Sequence, residues 1–117
     1  MIEHPVAVYS QRPKDCGVVA LANALQISYK DAKLKCFHAG WSSTNGIKSG
    51  FLENLCTQAG YEVQYRPDLS TGTVLQFTYK GLCLIQIKGH VMAAVNGIVN
   101  GLIDGCITEV HALRYIG

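Results

Sequence analysis

Residues 15–25, Asp15-Cys16-Gly17-Val18-Val19-Ala20-Leu21-Ala22-Asn23-Ala24-Leu25 (DCGVVALANAL), set a thiol at the point where a polar stretch gives way to an apolar run. Val18, Val19, Ala22, Ala24 and Leu25 recur at three-to-four spacing, which predicts a helix over residues 16–27 with Asp15 as its N-cap. A helix that opens on Cys16 places the thiol among the free N–H groups of the first turn. There the macrodipole favours the thiolate, the nucleophilic form, and with a histidine nearby such placement takes thiols from ~8.5 into the ~3.5–7.5 range.

Outward from this helix, Ser28-Tyr29-Lys30-Asp31 is close to a capping box, and Ala32, Leu34 and Phe37 continue it as a second helix stopped by Gly40. After the turn WSSTNG (residues 41–46), Ile47, Phe51, Leu52, Leu55 and Ala59 share one face of a third helix ending at Gly60. The period then changes to two: Tyr61, Val63 and Tyr65 alternate with Glu62, Gln64 and Arg66 until Pro67. Residues 70–80 fit a strand or a helix; the Ser70 cap with Val74, Leu75 and Phe77 selects a short helix. Runs over residues 82–87, 91–95, 98–103 and 110–115 are separated by Lys88-Gly89, Asn96-Gly97, Asn100-Gly101 and Asp104-Gly105, turn signals that predict an antiparallel meander. Helices followed by strands give an α+β chain, expected to form a single domain over residues 1–117.

With 49 % hydrophobic and 15 % charged residues among 117, the composition is globular, and a net charge of +2 is too small to imply a nucleic acid or an anionic membrane as partner. No window approaches the ~18 apolar residues of a membrane span, and the N-terminal residues lack the pattern of a cleaved signal. A cytoplasmic protein is expected. Five cysteines, an odd number without a C-x-x-C pair, fit neither a disulfide framework nor a zinc ribbon. No metal and no cofactor are expected. Cys36, Cys56 and Cys83 lie in apolar surroundings and read as buried hydrophobes.

A cysteine nucleophile needs a base, and His90 opens the strand VMAAV after Lys88-Gly89, a position that can face a cleft. His4 near the terminus and His111 inside the last strand suit the role less. Asp104 follows His90 by fourteen residues across an Asn-Gly hairpin, and at the end of the adjacent strand it could orient the imidazole. Gln11, five positions before Cys16, offers a side-chain amide that could join the Cys16 N–H in stabilising an oxyanion. Gly17 and Gly89, beside the thiol and the imidazole, leave room for a substrate main chain. Trp41 on its polar turn is either an interface anchor or packing over the helix pair.

This ordered set resembles the papain-like cysteine peptidases, most closely the C39-type branch, in which a D-C-G-x-x-A-L-A-x-x-L helix follows an oxyanion glutamine. The resemblance runs through DCGVVALANAL, GHVMAAVNG (residues 89–97) and LIDG (residues 102–105), and touches residues 34–82 only in element order. D-C-G also occurs in the SUMO-protease group, but there His and Asp precede Cys. The resemblance implies a papain-like fold with a helical first half and an antiparallel sheet in the second. It further implies Cys16 as nucleophile, His90 as general base and acid, Asp104 as orienting residue and Gln11 as oxyanion donor, acting on a protein or peptide. Asp104 is followed by glycine where the leader-cutting enzymes commonly carry proline. Glutamine deamidation or transamidation is the alternative on the same machinery, and a non-catalytic binding module using Trp41 is the alternative outside enzymes.

Overall fold

The computed structural model describes residues 15–42, 46, 50–100 and 102–117. Over these residues it shows three helices, α1 (Cys16–Leu25), α2 (Tyr29–His38) and α3 (Phe51–Gln58), then five strands, β1 (Tyr61–Tyr65), β2 (Cys83–Ile87), β3 (His90–Val95), β4 (Ile98–Asn100) and β5 (Ile107–Tyr115). The strands form one antiparallel sheet in the order β1-β5-β2-β3-β4. The α+β order expected from the sequence is present.

α1 has no polar face, and residues 17–25 are all buried. A helix that is apolar all round must be covered on all sides. Its main partner is β3, with α2 and α3 packed on its other flanks. It ends earlier than its periodicity predicts, because Gln26 turns into the left-handed region at φ 58 and its N–H bonds back to the Ala22 carbonyl. α2 begins three residues later, where the Ser28 hydroxyl accepts the Asp31 N–H at 3.1 Å. Ile47, expected on α3, lies outside the described residues, and α3 itself starts at Phe51.

The sheet is apolar on both faces. Leu84, Ala93 and Leu113 join the helices in one core; Cys83, Ile85, Ile87, Met92, Ala94 and Val110 form a second core on the opposite face with Val74. The ladder keeps these rows apart, since Leu84 pairs with Ala93 while Ile85 pairs with Met92. β2 therefore reads as a nearly continuous apolar run, the pattern of a strand covered on both sides.

Two expectations are corrected. The strands are not a simple meander: β2, β3 and β4 follow one another, but β5 returns to lie between β1 and β2. Residues 70–80 form no helix beyond a single 3-10 turn, Val74–Gln76, capped by Thr73 rather than Ser70. The Ser70 hydroxyl instead donates to the Arg66 carbonyl at 3.0 Å and accepts the Val110 N–H at 3.0 Å, fastening this segment to β5. The Asn96-Gly97 turn between β3 and β4 holds positive φ at both positions (54 and 81), the geometry of a type I′ hairpin.

Leu21 is fully buried in the middle of α1. Leu21→Ala should cost about 2–5 kcal/mol in urea unfolding, whereas Ser28→Ala should cost about 1 kcal/mol; equal effects would contradict the packing of α1 as the main source of order.

Candidate functional site

Cys16 is the first residue of α1 and is half-buried, whereas the residues behind it are buried. Gly17, expected to leave room for a substrate, belongs to that buried stretch, so access to the thiol lies at Cys16 itself. Asp15 occupies the N-cap position without capping: its backbone sits at φ −99 and ψ 11, outside the extended region, and its side chain makes no capping hydrogen bond. Its Oδ2 accepts the Tyr29 hydroxyl at 2.9 Å instead. Nothing in the local sequence signals this bond, which spans fourteen residues.

His90 is half-buried at the start of β3, the strand on which α1 packs. Gly89 before it is exposed on the two-residue turn from β2. His90 pairs with Ile87, so by alternation it belongs to the row of Met92 and Ala94, on the face away from α1; Val91 and Ala93 make up the row toward the helix.

Asp104 does not end a strand as expected. β4 stops at Asn100, and Asp104 lies in the segment leading back to β5. This segment folds over the second face. The Ile103 N–H donates to the Met92 sulfur at 3.4 Å, and Gly105 lies so near Ile87 that an added Cβ would stand 3.1 Å from Cδ1. Met92 and Ile87 flank His90 along the strand and across the ladder, but no hydrogen bond or ion pair joins Asp104 to His90, and the expected pairing of the two is not formed. Asp104 Oδ1 accepts the Leu75 N–H at 3.1 Å. A carboxylate has a second oxygen for another donor.

Gln11 and His4 lie outside the described residues. Trp41 is 5 % exposed and packs in the helical core, with the Lys33 ammonium 5.9 Å from its ring centre. Of its two expected roles, the structure takes packing, and Trp41 offers no exposed contact surface. His111 stands on the helical face between two carboxylates, Glu53 of α3 at 3.4 Å from Nδ1 and Glu109 at 3.7 Å from Nε2, with Tyr65 against its ring.

The remaining cysteines divide by environment. Cys36, Cys56 and Cys83 are fully buried, and burial pushes each thiol from 9.0 up to about 12; Glu53 and Cys36 add to the effect at Cys56. These thiols are held in the unreactive S–H form. Cys106 is exposed, and its backbone forms an isolated antiparallel bridge with Thr73.

Among the described residues no group of three or more His, Cys, Asp or Glu is placed to hold a metal ion, and no helix is long and apolar enough to cross a membrane. Compared with known proteins, the chain matches no family model, no curated protein and no solved structure.

A raised thiol means that the unfolded chain releases protons above about pH 9 while the folded chain keeps them. The buried thiols therefore contribute fully to stability below that pH and lose their contribution as pH rises toward the folded value. Each should impose a slope of about 1.4 kcal/mol per pH unit. In urea unfolding, the stability deficit of Cys83→Ala relative to wild type should narrow by about 2 kcal/mol between about pH 8 and about pH 10.5; a constant deficit would contradict the assignment.

Proposed function

We propose that this chain is a thiol hydrolase of the papain-like, C39-type kind, most simply a cysteine peptidase. His90 takes the Cys16 proton as the sulfur attacks the substrate carbonyl, forming a C–S bond. The C–N bond then breaks, with His90 delivering a proton to the departing amine. Water activated by His90 cleaves the thioester and restores the thiol. Gln11 joins the Cys16 N–H around the oxyanion.

The observation that carries this reading is the place of Cys16, half-buried at the head of a helix whose other residues are all buried, so that its thiol is where α1 is open to a substrate. The burial of Trp41 counts against the binding-module alternative, which needed that ring at the surface.

Alternation sets His90 in the row away from α1, so the proposed pairing requires the imidazole to reach Cys16 around the end of β3. The measurement that decides the pairing is the rate of Cys16 alkylation across about pH 4–9, followed by peptide mapping, in wild type and His90→Ala. Fast alkylation that persists below neutral pH and is lost in the variant is expected. A rate that rises only in the alkaline range and ignores the substitution would overturn the proposal. Loss of ammonia from glutamine substrates without chain cleavage would shift the reaction to deamidation on the same residues.

A further inference from the structure

β1 is an edge strand, and two backbone bonds at its ends fix which of its amides point outward. The Arg66 N–H donates to the Val110 carbonyl at 2.8 Å and the Ile116 N–H donates to the Gly60 carbonyl at 2.8 Å, so residues 60, 62, 64 and 66 direct their backbone groups to β5. By alternation the N–H and C=O groups of Tyr61, Val63 and Tyr65 point away from the sheet. Among the described residues no strand or backbone bond meets them. An open edge of this kind is normally blunted by lysine, proline or a bulge. β1 has none of these, and β4, the other edge, spans only Ile98–Asn100.

The sequence of this edge, Tyr61-Glu62-Val63-Gln64-Tyr65, is nearly its own reverse. We infer that β1 pairs antiparallel with β1 of a second copy of the chain about a twofold axis at Val63, joining the two sheets into one. Val63 then faces the partner's Val63, Tyr61 faces the partner's Tyr65, and the outward groups of each pair exchange both bonds. On the helical face, where Tyr65 is 53 % exposed, the tyrosine pairs cover surface that the single chain leaves open. On the opposite face Glu62 meets the partner's Gln64, an acceptor opposite a donor, while Arg114 holds Glu62 at 3.0 Å within its own chain. The neighbouring registers are worse. An axis at Glu62 opposes two carboxylates, and an axis at Gln64 sets Tyr61 against the partner's Pro67, which has no N–H to give.

One short ladder makes a small interface, so association belongs in the micromolar range. Sedimentation equilibrium of the full chain under reducing conditions, from about 1 to about 500 μM, should show a monomer–dimer equilibrium. Gln64 is exposed, and its backbone bonds run to β5 whatever its side chain, so substitutions there spare the ladder within the chain. Gln64→Glu sets carboxylates against each other at both symmetric positions and should weaken the dimer roughly two- to thirty-fold; Gln64→Lys sets a cation against Glu62 and should strengthen it by a similar factor. Net charge alone predicts the reverse, since on a chain of net charge +2 an added negative charge lowers the repulsion between copies. In hydrogen exchange, the amides of Val63 and Tyr65 should slow as concentration rises while those of Glu62 and Gln64 do not. A monomer at every concentration, a dimer that the substitutions do not move in these directions, or exchange at Val63 and Tyr65 that ignores concentration would overturn the inference. None of these readouts depends on the chemistry at Cys16.

Discussion

The feature on which the rest depends is a ten-residue helix with no polar side to give to water. Burying it requires a surface on every flank, and the chain supplies these from both halves: α2 and α3 from the first, β3 and its neighbours from the second. Burial of this apolar surface is the main favourable contribution available to a domain of this size. The same requirement singles out the helix start. Side chains further along are enclosed, and Cys16 is the residue at which the helix meets solvent.

The second face of the sheet is organised by a different device. Residues 67–79 and 102–106 carry little regular structure, yet they cover Cys83, Ile85, Ile87 and Met92. Backbone bonds stitch these two segments together: Val74 N–H to Gly105 carbonyl at 3.1 Å, and Ile107 N–H to Gly72 carbonyl at 3.0 Å. Asp104 secures the same junction through the Leu75 N–H. One carboxylate thus fastens the cover of the second core.

Much of the local structure was legible in the sequence, because short-range physics decides it. The Ser28 cap, the alternation of β1 and the Asn96-Gly97 hairpin follow from side-chain hydrogen bonding, period two and positive φ respectively. What was not legible depends on partners distant in the chain. The insertion of β5 between β1 and β2 is a choice among pairings that local patterns do not distinguish. Ser70 looks like a helix cap until Val110, forty residues away, donates to it. Asp15 looks like an N-cap until Tyr29 claims it. At the candidate site, the exposure of Cys16 could be anticipated from a helix start in a polar turn. The row of His90 could not, since it is fixed by the ladder with β2, and Asp104 was read as a strand end because the brevity of β4 leaves no mark in an apolar run.

The central claim is that Cys16 forms a covalent acyl intermediate. Its most direct test is reaction with a simple activated ester such as a p-nitrophenyl acyl compound, which needs little substrate selection, followed by acid quench and peptide mass mapping. The account predicts a burst of one nitrophenol per chain, with the acyl group on Cys16 and a slow steady release thereafter. An acyl group on Cys106 alone, or no burst above that of Cys16→Ser, would contradict it.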